Sequence, residues 1–268
     1  MNTATNENQQ GNNKLLRILQ ANLCHSDPAH LHLLNDKAEE EWDILVIQEP
    51  HTTYFKSIRT LNGFRQVYPD NELRRCKKAR LAIWVNSAIS TNSWKALDIP
   101  SSVDITAIQF EGDHGVLTLF NIYNSCTDNK TEHALDRYIE AHKNKLYGPG
   151  KNVLWCGNFN RHHPLWDDDA DDCLFMTTAM DASSRLIQLL AKWDMTMLLP
   201  NGIPTLQHWV TNKYSRPDNV FGTKDLGDLV IKCSTLPERR PVKTDHIPIA
   251  IILDISTTPA PTSPIRNF

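Results

Sequence analysis

Short apolar runs alternate with polar turns along most of this chain, which is the pattern expected of β-strands. Runs rich in β-branched and aromatic residues predict strands at Leu15–Ala21, Ile44–Gln48, Leu81–Val85, Val103–Phe110, Val116–Tyr123, Val153–Cys156, Met195–Leu199, Leu229–Cys233 and Ile247–Asp254. Apolar residues at three- and four-residue spacing predict helices over Thr131–Leu146 and Ala182–Trp193, and a third is expected over His30–Glu41. Strands with helices between them favour layered sheets flanked by helices.

The two ends of the chain differ from the rest in composition. Residues 1–13 are rich in Asn, Gln and Thr, and residues 256–268 are rich in Ser, Thr and Pro. Neither segment can bury enough apolar surface to order itself. No linker or repeat interrupts the sequence between them, so we expect one domain over residues 14–255 and two disordered tails.

Composition excludes several classes of protein. The 268 residues are 40% hydrophobic and 22% charged, as in ordinary globular chains. No apolar run approaches the ~20 residues that span a bilayer, and the first residues lack the apolar segment of a secretory signal. We therefore expect an intracellular protein with no membrane segment. The net charge of −3 argues against holding nucleic acid by bulk charge alone, but it allows a local basic patch.

Cysteine spacing gives no sign of a disulfide framework. The six cysteines are scattered and none forms a C-x-x-C pair: Cys24, Cys76, Cys126, Cys156, Cys173 and Cys233. A zinc site built on such pairs is disfavoured. In a reducing compartment we expect free thiols and no disulfide-linked partner.

Polar side chains recur where the predicted strands end. They are acids, amides, one tyrosine and one histidine, at Asn22, Glu49, Tyr123, Asn158, Asn160, Asp218, Asp245 and His246. Hard divalent cations take carboxylate and carbonyl oxygens, and a phosphate needs donors such as amide, imidazole and phenol. Taken singly, each residue has a plain structural explanation as a strand end, a cap or a turn. Their order and joint presence favour a metal-assisted phosphodiester site.

The order of these motifs resembles the endonuclease/exonuclease/phosphatase superfamily, and more closely the apurinic-like endonuclease domain of LINE-type non-LTR retrotransposons. Six ordered motifs between Leu15 and about Asp254 carry the resemblance: Asn22 in LQANL, Glu49 in VIQEP, Tyr123 in NIYN, Gly157 to Asn160, Asp218 in SRPDNVF, and Thr244 to His246. His-His-Pro-Leu-Trp at residues 162–166 is typical of the retrotransposon branch. The resemblance implies an α/β four-layer sandwich, in which two mixed β-sheets pack face to face and are flanked by helices.

The resemblance also implies a mechanism. Mg²⁺, or Mn²⁺ as the alternative ion, is held by Glu49 with Asn22 and Asp245 close by. His246, oriented by Asp218, donates to a phosphate oxygen, and Tyr123 and Asn160 supply further donors. Water attacks in line and leaves a 3′-hydroxyl. The implied partners are double-stranded DNA and the reverse transcriptase domain of a parent polyprotein, and the implied location is the nucleus.

Three positions depart from the family pattern. Asn158 stands where the family has the Asp that is thought to orient or deprotonate the attacking water, so we expect sharply reduced nicking activity. Thr244 replaces the usual Ser and keeps the hydroxyl. Cys24 stands where abasic-site repair enzymes carry a carboxylate. Two alternatives therefore stay open: a catalytically inactive DNA-binding domain, and a phosphodiesterase for lipid or small phosphates.

Two charged runs have more than one interpretation. The basic run at residues 74–80 is either a solvated loop or a contact to the DNA backbone, and Thr244 is a further candidate for DNA contact. The basic residues of this run are Arg74, Arg75, Lys77, Lys78 and Arg80. The acidic run over residues 167–172 is expected to be an exposed loop, because clustered like charges repel and stay solvated. Its alternative is a metal site together with His162 and His163.

Overall fold

A computed structural model describes residues 14–55, 57–69, 79–100, 102–168 and 174–256 of the chain. The first of its sheets contains β1 (Leu15–Asn22), β2 (Ile44–Gln48), β3 (Phe64–Val67), β4 (Leu81–Asn86), β13 (Val230–Thr235) and β14 (Ile249–Asp254). The strand order is β13-β14-β1-β2-β4-β3. β1 and β2 are parallel and the other neighbours are antiparallel. The carboxyl ends of β1 and β2 therefore lie at the same end of the sheet as the start of β14.

The second sheet repeats this arrangement. It contains β5 (Trp94–Leu97), β6 (Ile105–Gly112), β7 (Gly115–Tyr123), β8 (Lys151–Asn158), β9 (Met195–Met197) and β12 (Asp218–Thr223), in the order β5-β6-β7-β8-β12-β9. Its central pair, β7 and β8, is parallel. Tyr123 pairs with Asn158, which also pairs with Asp218, so three candidate residues lie side by side on adjacent strands.

A short two-stranded ribbon lies beside the two sheets. It consists of β10 (Leu206–Gln207) and β11 (Tyr214–Ser215). Leu206 forms an isolated bridge with His246, and Ile247 donates its backbone N–H to Thr205 O at 2.7 Å. The ribbon therefore fixes the backbone on both sides of His246, just before β14 begins.

Helices cover the outer face of each sheet. They are α1 (Asp27–Asn35) and α2 (Ala38–Glu41) on the first sheet, and α3 (Lys130–Leu146) and α4 (Thr177–Lys192) on the second. The short α5 (Lys224–Gly227) instead places Leu226 in the cluster between the sheets, and a 3₁₀ turn lies at Pro237–Arg239. One apolar cluster, including Ile18 and Leu154, lies between the sheets. A second packs α3 and α4 on the second sheet, and a third packs α1 and α2 on the first. These layers confirm the predicted four-layer α/β sandwich.

A polar contact crosses the largely apolar space between the sheets. Gln48 Nε2 at the end of β2 donates to Asn121 Oδ1 in β7 at 2.7 Å. Asn121 Nδ2 donates to the carbonyls of Ile47 and Ala82 at 2.9 and 3.0 Å. Both side chains are completely buried. This pair links the two sheets directly beneath the ends where the candidate residues lie.

Each predicted strand is present, with its ends shifted by a residue or two. The third predicted helix is wrong in its bounds, because the segment forms two helices separated at Asp36 and Lys37. Its first helix also begins earlier than expected, since Ser26 accepts the N–H of Ala29 at 3.2 Å and caps it. Strands β3, β5, β10, β11 and β12 were not expected from the pattern.

The acidic run does not behave as one exposed loop. Asp167 is 1% exposed, and its carboxylate accepts the N–H groups of His163 at 2.9 Å and Arg216 at 3.1 Å. The expectation of exposure is wrong for Asp167, because two backbone donors and the nearby buried Arg216 hold its charge. Asp168 is exposed as expected. Residues 169–172 lie outside the described part of the chain.

Several other predictions fall partly outside the described residues. Arg74, Arg75, Lys77 and Lys78 lie there, as do residues 1–13 and all of the C-terminal segment except Ser256. The described cysteines Cys24, Cys126, Cys156 and Cys233 are free thiols. None of the described helices is long and apolar enough to cross a membrane.

Candidate active site

Glu49 lies at the carboxyl end of β2, next to Asn22 at the end of β1. The parallel register pairs Asn22 with Gln48, so the two strands end together. The Glu49 backbone is held on both sides, since its N–H donates to Arg80 O and its carbonyl accepts from His25 N–H, both at 2.8 Å. Its φ of 46° turns the chain sharply after the strand. The half-buried Glu49 carboxylate is therefore fixed at the end of the sheet.

His246 and Asp218 form a buried pair that joins the two sheets. His246 Nδ1 lies 2.6 Å from Asp218 Oδ2, and the residues are 7% and 2% exposed. Burial lowers the pKa of His246, but the charge and hydrogen bond of Asp218 and the charges of Asp245 and Glu49 raise it, so the pKa lies above its ordinary value. With Nδ1 held by Asp218, the ring presents Nε2, which lies 4.0 Å from Asp245 Oδ1.

Thr244 is a structural residue of this site. It is completely buried, and its hydroxyl donates to Asn22 O at 2.9 Å while accepting the N–H of His246 at 3.3 Å. The suggested direct contact with DNA does not fit this position, because the hydroxyl is already committed inside the protein. Thr244 instead fixes the loop before β14 to the end of β1.

Cys24 lies in the turn that follows β1, against the loop that precedes β14. Its thiol donates to Asp245 Oδ1 at 3.1 Å and lies 3.2 Å from Thr244 Oγ1. Burial is the main reason that the pKa of Cys24 is raised to about 12. At neutral pH the group is therefore a protonated thiol that donates a hydrogen bond to Asp245.

Tyr123 lies beside Glu49 and beneath Arg80. Burial raises the pKa of Tyr123, and the hydrogen bond and charge of Glu49 raise it further, so the phenol keeps its proton. The Arg80 guanidinium carbon lies 4.7 Å from the centre of the Tyr123 ring. Arg80 also makes two hydrogen bonds to the Asp104 carboxylate, at 2.7 and 2.6 Å. Arg80 therefore belongs to the wall of the site, and its guanidinium is already paired.

The Gly-Asn-Phe-Asn turn places Asn158 and Asn160 at the end of β8. Asn158 is 3% exposed, and its Oδ1 accepts the N–H of Asn160 at 3.0 Å. Asn160 has a φ of 48° and donates from Nδ2 to Asn124 O at 2.7 Å. Within the described residues, Asn158 Nδ2 has no protein partner. Asn158 therefore makes the hydrogen bond of the turn that an Asp would make, and it carries an amide in place of the second carboxylate oxygen.

A buried charge network behind this turn was not predicted from the sequence. Arg161 Nε lies 3.2 Å from Glu132 Oε1, which also accepts from Asn124 Nδ2 at 2.6 Å. The Arg161 guanidinium donates to the carbonyls of Ser125 and Asp128 at 2.8 and 2.9 Å. The network holds the loop after β7 to the turn after β8. Its only sequence signal was an Arg directly after the Gly-Asn-Phe-Asn motif.

The donors at the strand ends fit a hard divalent cation. Glu49 follows β2 beside Asn22 at the end of β1, and Asp245 follows Thr244, whose hydroxyl donates to Asn22 O at 2.9 Å. The Asn22 Oδ1 accepts the Cys24 N–H at 2.9 Å, and its Nδ2 is buried and has no partner among the described residues. Asp245 Oδ1 lies 4.0 Å from His246 Nε2, and the charges of both carboxylates raise the pKa of His246. Oxygen donors with two negative charges suit Mg²⁺ or Mn²⁺. In this part of the chain the structure thus brings together the predicted residues Asn22, Glu49, Tyr123, Asn158, Asn160, Asp218, Asp245 and His246.

A sandwich of two mixed sheets with this set of residues at its strand ends defines a class, the endonuclease/exonuclease/phosphatase superfamily. The sequence model of one of its families, described as endonuclease-reverse transcriptase, matches residues 117–250, which is half of the chain. This chain belongs to that family. No curated protein matches it significantly.

Solved structures share the fold. The endonuclease domain of TRAS1, a telomere-specific non-LTR retrotransposon, has a TM-score of 0.66 and 20% identity, and the match covers 89% of this chain and 98% of that domain. An AP endonuclease from Leishmania major has a TM-score of 0.68 and 12% identity, covering 90% and 88%. One from Archaeoglobus fulgidus has a TM-score of 0.63 and 17% identity, covering 89% and 99%. At these identities the likeness establishes the fold.

Proposed function

We propose that this chain is the DNA endonuclease domain of a non-LTR retrotransposon, which nicks its target by metal-dependent phosphodiester hydrolysis and is impaired by Asn158. The observation that carries the proposal is that Asp245 and the His246–Asp218 pair lie together where β1 and β2 end, and that Glu49 directly follows β2 at this end. The family description supports double-stranded DNA as the substrate and a reverse transcriptase as the partner domain. Work at chromosomal DNA would place the protein in the nucleus.

The residues that would hold the cation are Glu49 and Asp245, with Asn22 alongside. When bound, Mg²⁺ or Mn²⁺ supplies a positive charge that offsets the charge of the scissile phosphate. The Cys24 thiol takes no part in this oxygen site. Its hydrogen bond to Asp245 orients that carboxylate.

The protein's own donors then surround the phosphate. His246 is held by Asp218 and has a raised pKa, so its Nε2–H donates to a non-bridging oxygen. Tyr123, which keeps its phenolic proton, is a second donor. These groups are fixed before the substrate arrives, so little reorganisation is needed as charge develops.

Asn158 limits the reaction at the water-activating step. Its amide orients a water through hydrogen bonds, but it cannot accept a proton near pH 7. General-base assistance is typically worth about 10²–10⁴-fold in rate. The proposed enzyme therefore binds and positions DNA but nicks it slowly.

The test is nicking of supercoiled plasmid with Mg²⁺ and with EDTA. We expect Mg²⁺-dependent nicking that His246→Gln lowers about 100- to 1,000-fold, the usual effect of losing one such donor. His133→Gln, an exposed histidine on α3, is the matched control and should change nothing. Duplex binding with no cleavage, even in Asn158→Asp, would instead identify an inactive DNA-binding domain. Cleavage of small phosphodiesters but not of DNA would favour a phosphodiesterase for lipid or small phosphates.

A further inference from the structure

Three side chains of different chemistry point toward one another at the end of the first sheet. They are Cys24, Asp245 and His246, and one ligand atom of each lies within 4.8 Å of the other two. Cys24 Sγ is 3.1 Å from Asp245 Oδ1, which is 4.0 Å from His246 Nε2. A sulfur, an oxygen and a nitrogen donor therefore surround one point. A cation that binds only oxygen would use just one of them.

The spacing fits a tetrahedral ion. With bonds of about 2.3 Å to sulfur and 2.0–2.2 Å to nitrogen and oxygen, tetrahedral ligands lie roughly 3.4–3.6 Å apart. The two measured separations, 3.1 and 4.0 Å, lie on either side of this value. Small side-chain rotations would be enough to close the site around Zn²⁺.

The surroundings already orient these ligands. His246 Nδ1 is held by Asp218 at 2.6 Å, which leaves Nε2 free to bind. A carboxylate behind a metal-bound histidine fixes its ring and raises its basicity. Thr244 Oγ1 lies 3.2 Å from Cys24 Sγ and makes hydrogen bonds to the backbone of Asn22, at the end of β1, and of His246, in the loop before β14. These contacts orient the ligands before any ion binds, so that only small rotations are needed.

We propose that Cys24, Asp245 and His246 form a site for Zn²⁺, with the fourth position open to water or a phosphate oxygen. Zinc takes the sulfur as a thiolate and His246 Nε2 as an unprotonated nitrogen, so the thiol proton and the proton on Nε2 both pass to solvent. Because Asp245 is shared, zinc bound here displaces the hard cation and blocks nicking. The binding of zinc stands independently of the proposed function, whereas the inhibition rests on it.

Binding is tested with Co²⁺ as a spectroscopic probe of the full chain. We expect one Co²⁺ per chain with a sulfur-to-cobalt charge-transfer band in the near ultraviolet, which stoichiometric Zn²⁺ removes. Cys24→Ser should abolish the band, and Cys126→Ser, which replaces an exposed thiol, should retain it. Asp218→Asn should weaken Zn²⁺ binding by about 10- to 100-fold, as expected for loss of an orienting carboxylate. Circular dichroism checks that each variant is folded.

A band that survives in Cys24→Ser, or no band in the unsubstituted chain, would overturn the zinc site. The inhibitory effect is tested separately, with whichever of the unsubstituted chain and Asn158→Asp nicks plasmid. Micromolar Zn²⁺ should inhibit nicking, excess Mg²⁺ should reverse the inhibition, and Cys24→Ser should resist it. Equal inhibition of Cys24→Ser would refute the blocking role. If neither protein nicks DNA, the proposed function fails, and the cobalt spectrum still decides whether zinc binds.

Discussion

Asn158 keeps the hydrogen bond that shapes the turn but lacks the carboxylate that could accept a proton. Its side-chain oxygen accepts the Asn160 N–H at 3.0 Å, as a carboxylate oxygen would, so the turn does not depend on charge. We predict that Asn158→Asp raises the rate of plasmid nicking by about 10²–10⁴-fold. DNA affinity should stay level or fall slightly, because the new charge lies close to a phosphate.

The comparison needs only the two proteins on supercoiled plasmid with Mg²⁺, with duplex affinity measured alongside. Asn152→Asp, at the other end of β8, controls for the added charge. Equal and vigorous cleavage by the unsubstituted chain and Asn158→Asp would mean that the water is activated by another group, and the role given to position 158 would be wrong.

A second prediction at the scale of the residue concerns Glu49 as a ligand of the cation. We predict that Glu49→Gln weakens Mg²⁺ binding measured by calorimetry, because the amide keeps the shape of the side chain and removes one of two ligand charges. Asp245→Asn should do the same. Glu238→Gln, at an exposed position, is the matched control. Unchanged Mg²⁺ affinity in Glu49→Gln would refute its assignment as a ligand.

At the scale of the element, β8 depends on one glycine. Gly157 has a φ of 155°, and a Cβ there would lie 1.9 Å from the carbonyl oxygen of Ile122 on β7. Since neither backbone can move without breaking the sheet, we predict that Gly157→Ala lowers the free energy of unfolding by at least about 2 kcal/mol. Urea denaturation measures the loss. Gly227→Ala, where the nearest atom is a Leu198 methyl at 4.0 Å, should change stability by about 1 kcal/mol or less.

A second prediction at the scale of the element concerns the basic run at residues 74–80, just before β4. If its side chains touch phosphates, replacing Arg74 and Lys77 with Ala should flatten the log–log dependence of duplex affinity on salt by about 2. Arg80 should contribute less to this slope than its neighbours, because Asp104 already pairs with it. A slope that does not change would identify the run as a solvated loop.

Most strands could be predicted because they are buried on both faces and read as continuous apolar runs. β2 and β4, for example, are buried along their whole length. β12 was missed because it begins with Asp218 and Asn219 and contains Gly222, residues that disfavour strands. Pairing with β8 and β9 on its two sides overrides that preference.

The residues of the site could be predicted from the sequence, but the buried contacts that hold them in place could not. The motifs at the strand ends pointed to Glu49 and His246, because an acid after one apolar run and a histidine before another are visible in the sequence. The burial of Asp167 and the Arg161–Glu132 pair could not be seen. Both depend on contacts between segments that are distant in the chain, and a charged residue in such a contact looks like any surface charge.

At the scale of the whole molecule, the site belongs to neither sheet alone. Asn22, Glu49 and Asp245 come from the first sheet, and Tyr123, Asn158 and Asp218 come from the second. The apolar contacts that fill the space between the sheets are non-directional and tolerate a small shift of one sheet over the other. The buried amides of Gln48 and Asn121 do not tolerate such a shift, because their hydrogen bonds form at only one position of one sheet relative to the other. The stability of the fold and the positions of the site residues therefore depend on different contacts. A substitution could displace the two halves of the site while the protein stays folded.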